Sequence, residues 1–531
     1  MSDRVEALRG WRDDWAGLRV AILGLDAAGF SVADTLTELG VTTTVFAGRA
    51  EQNLALMERA DLLAVIGAGL WQPESGGGLG DSFAIDALVR FGPELVIVTS
   101  EFLPNHPLVR WAESRLIPLW GEIELAWRLR DKTARPDEQG KLRPAEWFTV
   151  TGATGTAETI QLATAMMSAA GHRVIACGDS NALVLDAIRD PGGFDALVVS
   201  FSPFQRQLSS SVSAHTSVCL NVAVDDTRFG GDSTTDQHLD YADSSSAGGG
   251  IYANTKIACL FNRDVIATRS MVEEADVVEG CRAIGFGLGV PGPSDFGVVS
   301  EYLLDRAFLA DRYTGALEIE SMQQLEKVGL DAPHLVTVVL AASALARSFD
   351  VSIEQIRSTI TSFHEVGDRL KTIACRSGVS WIDNSGATNS WAQGAAIASF
   401  ESIVWIVDGV SADGTDLALT IKTIGPRLRA AVMIGSGGVK LRAFFARHAP
   451  LLPVLEVESA DTDEVMHEAV RLAAAVAHAG DVVLLAPSSA SINGSLDRVD
   501  CGRRFAAAVW DMLGDDSHDG KTPRSGSTKD E

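Results

Sequence analysis

A chain of 531 residues is too long for one hydrophobic core, and a hydrophobic content of 46% fits a globular protein of two to four domains. The formal charge of −26 excludes nucleic acid and anionic membrane as partners, and no apolar run approaches the roughly 18 residues of a membrane span. Residues 1–19 lack the apolar core of a signal peptide, so a cytoplasmic protein without membrane insertion is expected; the six cysteines, far apart with no C-x-x-C pair, read as reduced and mostly buried thiols.

Residues 18–24 read as a strand ending at Gly24. Gly29 then opens an amphipathic helix to about Leu39, and residues 42–46 form a second strand, a Rossmann-like β-α-β opening. The spacing is not G-x-G-x-x-G, so these glycines read equally as a dinucleotide loop or as residues serving only the turn and the packing. Further strands at 62–66 and 95–99 complete a first domain, residues 1–120. A helix from Glu122 and a polar loop at 131–143 open a central domain, residues 121–332.

The central domain carries the most informative stretch. A strand at 147–151 is followed by Gly152, Ala153, Thr154, Gly155, Thr156 and Ala157, then by a helix with Ile160, Ala163 and Met167 on one face. Strand, glycine loop and helix N-terminus make the frame of a P-loop, whose amides and helix dipole hold phosphates. The pattern G-x-x-G-K-[ST] needs a lysine and then a hydroxyl, where this chain has Thr156 and Ala157. The groups that neutralise phosphate and ligate magnesium are replaced. Glu158 suits the helix dipole in the first turn but repels an anion there. The loop reads as a nucleotide site that has lost its chemistry.

Strands at 174–176, 196–200, 218–222 and 257–262 continue the domain, with a Gly/Asp/Ser/Thr-rich stretch at 227–250 reading as a mobile loop. A third α/β domain, residues 333–513, is led by a helix at 335–348 and carries strands at 380–383, 402–407, 430–434 and 482–486. The tail, residues 514–531, has the composition of a disordered segment.

Taken together, Thr-Gly-Ala-Thr-Gly at 151–155, Ser-Phe-Ser-Pro-Phe-Gln at 200–205, Leu-Asn-Val-Ala-Val-Asp at 220–225, Ile-Tyr-Ala-Asn-Thr-Lys at 251–256, Asp-Asn-Ser-Gly-Ala-Thr-Asn at 383–389 and Leu-Leu-Ala-Pro-Ser-Ser-Ala-Ser at 484–491 resemble the Mur ligase family. Within it they are most similar to the MurD-type ligases, which add D-glutamate to UDP-N-acetylmuramoyl-L-alanine in peptidoglycan synthesis. The resemblance covers roughly residues 18–513. It implies an α/β fold of three domains: a Rossmann-like N-terminal domain for the UDP-sugar, a central P-loop-type domain for ATP, and a Rossmann-like C-terminal domain that closes over both and brings the amino acid. The reaction it implies passes through an acyl phosphate.

Carried over residue by residue, the resemblance puts substitutions at the reacting positions. Thr156 and Ala157 stand for the loop lysine and hydroxyl, Ser200 for a metal-binding glutamate, and Asp225-Asp226 for an Asp-His pair. Gly248 stands for the carbamylated lysine and Gly386 for the C-terminal lysine. Asp368 takes the place of the histidine before Arg369, Leu335 that of the asparagine after His334, and Ala47 that of an aspartate near Arg49. A reaction centre so crowded with anions relies on those cations, and losing one commonly costs several kcal/mol in the transition state.

The surviving groups keep two readings each. Arg49 and Arg369 suit an anion or a salt bridge. His334 suits a ligand or a helix start. Thr388 and Asn389 suit a substrate contact or a turn, Ser491 suits an amino-acid pocket weakly, and Asp225 is a weak metal candidate. The sequence therefore implies a MurD-like protein, catalytically silent, that binds a UDP-muramoyl precursor or another cell-wall enzyme, with no cofactor assigned to it. The alternative is an active ADP-forming ligase with a rebuilt site that uses ATP and Mg2+.

Overall fold

Runs of Val, Ile and Leu alternating with amphipathic helices predict parallel sheets covered on both faces, and three such sheets form. The computed structural model describes the chain except at residues 1, 49–53, 74–78, 81, 100, 101, 103, 137–139, 153, 179–181, 223–249, 364–370, 377, 386–399, 401, 409–424, 435–437, 458–463, 487–497 and 514–531. It divides into two compact units, Met1–His364 and Glu365–Glu531.

The first sheet comprises β1 (Arg19–Leu23), β2 (Thr42–Phe46), β3 (Gly69–Trp71), β4 (Leu95–Val98) and β5 (Leu119–Gly121), all parallel in the order β3-β2-β1-β4-β5. The helices of this part are α1 (Ser2–Ala7), α2 (Ala27–Glu38), α3 (Leu54–Ile66), α4 (Ser82–Phe91), α5 (Pro107–Ser114) and α6 (Glu122–Leu129). Residues 62–66, expected as a strand, are instead the last turns of α3. Its Leu, Ala, Met and Glu are strong helix formers, and that preference outweighs a short apolar run readable either way. At the β1–α2 turn Asp26 caps the helix, accepting from the Gly29 amide at 2.7 Å. A Cβ on Gly29 would stand 2.3 Å from the Gly24 carbonyl oxygen, so close packing alone demands glycine there.

A small ribbon, β6 (Arg135–Pro136) and β7 (Leu142–Arg143), precedes the second sheet. That sheet contains β8 (Glu146–Thr151), β9 (Val174–Cys177), β10 (Ala196–Ser200), β11 (Thr216–Cys219), β12 (Ala258–Asn262), β13 (Arg282–Phe286), β14 (Asp295–Val299), β15 (Tyr302–Asp305) and β16 (Leu317–Ser321). Their order is β16-β15-β14-β13-β12-β11-β8-β10-β9, parallel from β9 to β14 and antiparallel beyond. Its helices are α7 (Thr156–Ala169), α8 (Val184–Arg189), α9 (Pro203–Gln207), α10 (Ile266–Glu273), α11 (Met322–Lys327), α12 (Pro333–Ser348) and α13 (Ile353–Ser362).

Helix α12 was expected to lead the third domain. It instead buries Val336, Val339, Leu340 and Leu345 in one core with Phe148 and Val150 of β8 and Ile160 and Met167 of α7. The first two sheets are joined through α2 and α8, where Ser31 donates to Asp186 at 2.6 Å and Arg189 pairs with Asp34 at 2.7 Å and Glu38 at 3.1 Å.

The second unit holds β17 (Lys371–Arg376), β18 (Val379–Asp383), β19 (Ile403–Asp408), β20 (Leu428–Ile434), β21 (Val454–Glu456) and β22 (Val482–Leu485), with α14 (Gly438–His448), α15 (Glu464–Val476) and α16 (Arg498–Leu513). The sheet order is β17-β18-β22-β19-β20-β21, parallel except for the β17–β18 pair. Of the cysteines, Cys177, Cys219, Cys259 and Cys501 are buried, Cys281 is half-buried and Cys375 is exposed.

Candidate functional site

Strand β8 lies between β10, which follows it in the chain after β9, and β11, so the strand order reverses around it. In open α/β sheets ligands bind beyond the carboxyl ends of strands at such a reversal. The loop leaving β8 spans 152–155 and runs straight into α7.

Gly155 caps α7 in the left-handed region (φ 80°), which disfavours any residue with a Cβ, and a Cβ there would also meet Val338 of α12 at 3.1 Å. The Gly155 carbonyl accepts from the Thr159 amide at 3.0 Å and from the Thr159 hydroxyl at 2.7 Å. Thr156 turns its own hydroxyl back onto the Gly152 carbonyl at 3.2 Å. Ala157 follows, then Glu158 in the first turn.

The loop is held from the side by Asn221, just past β11. Its Oδ1 accepts from the Thr154 amide at 3.0 Å, and its Nδ2 donates to the Thr154 carbonyl at 3.0 Å and to the Thr154 hydroxyl at 3.1 Å. At the end of the neighbouring β12, Asn262 donates to the Leu220 carbonyl at 2.9 Å, which fixes the chain at Asn221 in turn. The sequence places Asn221 in a family-like motif without giving it a role. The available signal is an asparagine at the carboxyl end of a strand beside the reversal.

Ser200 ends β10, is buried, and pairs in register with Val150 of β8, so it stands level with the start of the loop. His334, in the first turn of α12, is exposed at its own surface, yet the mass of protein behind it lowers its pKa from the ordinary histidine value. The Glu158 carboxylate opposes part of that shift, which puts Glu158 and His334 within electrostatic reach of each other. The structure thus brings together Gly152, Thr154, Gly155, Thr156, Ala157, Ser200 and His334. Arg49, Ala153, Asp225, Asp226, Gly248, Arg369, Gly386, Thr388, Asn389 and Ser491 lie outside the described residues, as does the loop expected at 227–250 apart from Gly250. Among the described residues no group of three or more His, Cys, Asp or Glu is placed to hold a metal, and no helix is long and apolar enough to cross a membrane.

A mostly parallel sheet with a glycine loop and helix N-terminus at its reversal, preceded by a Rossmann-like sheet and followed by a third α/β sheet, defines the Mur ligase architecture. Consistent with it, the fold matches that of the UDP-N-acetylmuramate-alanine ligase MurC of Thermotoga maritima, with a TM-score of 0.50 at 14% identity over 93% of this chain and 99% of that one. No protein-family model matches the chain. In sequence it is 46% identical to the UDP-N-acetylmuramoylalanine–D-glutamate ligase of Leifsonia xyli over 529 residues, 98% of each chain. It is 36% identical to the protein of the same name from Streptomyces coelicolor, over 94% of this chain and 99% of that one. The chain belongs to the UDP-N-acetylmuramoylalanine–D-glutamate ligase family.

Proposed function

We propose that this chain keeps the frame of its family and acts in the peptidoglycan precursor pathway by binding or regulation, without ATP-driven ligation. The observation that carries this reading is the loop between β8 and α7. In a working loop a lysine reaches the β- and γ-phosphates and the next hydroxyl ligates magnesium. Here Thr156 is too short to reach and uses its hydroxyl on the Gly152 carbonyl, and Ala157 has no oxygen to offer. One loop amide, that of Thr154, is taken by Asn221. Glu158 adds a carboxylate where a triphosphate would lie. These residues do not fit a magnesium-bound triphosphate.

The ligand that best suits the retained frame is a UDP-muramoyl precursor, held by the N-terminal Rossmann-like part, and the cytoplasm, where that precursor would be met, is the compartment of this reading. A second reading is an active ligase with a rebuilt site, forming ADP from ATP with Mg2+. It is favoured by 46% identity over nearly the whole length to a chain named as that ligase. Titration calorimetry with ATP, with and without magnesium, separates the two. The first reading expects no magnesium-dependent binding; a micromolar, magnesium-dependent affinity would establish the second.

A further inference from the structure

Away from the loop, at the other pole of the same sheet, a cleft of about 330 Å³ is walled by Arg282, Phe308, Arg312, Arg347 and Asp350 among others. Two features place it there. Arg282 is the first residue of β13, whereas the loop follows the last residue of the parallel β8; and Arg347 lies in the last turn of α12, whose first turn carries His334. Those two positions are thirteen helical steps apart, about 20 Å along the axis.

The three arginines differ in how they are satisfied. Arg347 is committed to the fold: Nε pairs with the fully buried Asp305 at 3.0 Å, Nη1 donates to the Val351 carbonyl at 2.8 Å and Nη2 to the Phe308 carbonyl at 2.7 Å. Arg282 donates Nη2 to the Ala307 carbonyl at 2.6 Å and lies 5.3 Å from the centre of the Phe308 ring. Arg312 lies 5.4 Å from the centre of the Tyr313 ring. Among the described residues neither Arg282 nor Arg312 has a carboxylate within ion-pair distance. Burial lowers the pKa of Arg282, and the charge of Arg312 lowers it further, against a contribution from Asp305, so the two guanidinium groups are near enough to repel. Among the described residues that line the wall Asp350 is the only carboxylate; with Arg347 paired to Asp305, Arg282 and Arg312 outnumber it two to one and leave the cleft positive in a protein of net charge −26. Two like charges held together beside an open cavity are relieved by an anion between them, and guanidinium groups bind phosphate and carboxylate oxygens in forked pairs.

We propose that this cleft is a binding site for a small polyvalent anion, a phosphate ester or a polycarboxylate, held between Arg282 and Arg312 and separate from the loop site. The volume of the cleft, about 330 Å³, suits a small molecule.

The test is titration calorimetry on the full chain, without magnesium, using inorganic pyrophosphate as the phosphate probe and citrate as the carboxylate probe. At least one probe is expected to bind with submillimolar affinity, weakening as salt is raised, and the stronger of the two identifies the chemistry. Arg312→Gln is expected to weaken that binding about tenfold, the loss of one charge-assisted contact, while Arg312→Lys recovers part of it. Arg312 makes no side-chain hydrogen bond among those of the described residues, so its variants remove only its contact with the exposed Tyr313 ring, and thermal melts of each check that the fold is kept. Arg282→Gln is expected to act in the same direction. Failure of both probes to bind, or binding unchanged in Arg312→Gln, as it would be if the anion sat on the loop, overturns the proposal.

Discussion

Asn221 joins two strand ends that are distant in the chain, and Asn221→Ala tests whether it sets the shape of the loop. The substitution removes three hydrogen bonds to one residue, at 3.0, 3.0 and 3.1 Å. A neutral hydrogen bond contributes about 0.5–1.5 kcal/mol net. Asn221 and Thr154 are both half-buried, so water replaces part of what is lost and each bond counts near the lower end. The expected loss is about 2 kcal/mol. In urea the unfolding midpoint of the unit that contains the loop should fall with its slope unchanged. Hydrogen exchange should show the Thr154 amide losing protection while amides in the middle of β8 keep theirs. Asn221→Asp should not rescue the loop: it keeps an acceptor for the Thr154 amide but sets a carboxylate oxygen against the Thr154 carbonyl. A loss under about 0.5 kcal/mol together with unchanged exchange at Thr154 would refute the assignment of Asn221 as the residue that holds the loop.

Other substitutions probe buried groups elsewhere in the chain and the loop itself. Glu124 is fully buried and accepts from Arg128 at 2.7 Å and from the Ser211 amide and hydroxyl at 3.0 and 2.6 Å; Glu124→Ala strands the Arg128 charge and should destabilise the first unit by about 3 kcal/mol in thermal or urea unfolding. Burial lowers the pKa values of His106, His215 and His334 in the folded chain. The unfolded chain therefore binds more protons as pH falls below the ordinary histidine value of about 6.5, and stability should drop between about pH 7 and 5; His215→Gln should flatten that slope in urea titrations at the two pH values. Thr156→Lys combined with Ala157→Thr restores the charge and hydroxyl of the loop on a frame that already has Gly152 and Gly155. It should gain measurable nucleotide affinity by calorimetry and no ligase turnover, because parts that act as a unit are not recovered one at a time.

The strands were legible wherever β-branched and apolar residues formed short runs bounded by glycine, as at β1, β2, β4, β10 and β22. The run ending at Ile66 misled because an apolar stretch does not state its period when it lies within a helix of strong helix formers. Helix α12 was legible as a buried helix, but its apolar residues say only that it is covered, not by which sheet. The glycine loop was legible because Gly155 occupies a conformation other residues avoid. What could not be read were roles created by distant segments meeting. Asn221 acts on a residue 67 positions away, and the arginine cleft is assembled from β13, the 306–313 turn region and the end of α12. The substitution at Ser200 was visible in the chain, while its place level with the loop required the register of β10 on β8.

Whether the family frame persists here without ATP-driven ligation is decided by steady-state phosphate release. The purified 531-residue chain is incubated with ATP, magnesium, UDP-N-acetylmuramoyl-L-alanine and D-glutamate, with inorganic phosphate and the UDP-linked product both followed. Phosphate release no faster than in a control lacking D-glutamate is expected, and no product. Phosphate release that depends on D-glutamate and matches product formation mole for mole would contradict it and make this chain a working ligase.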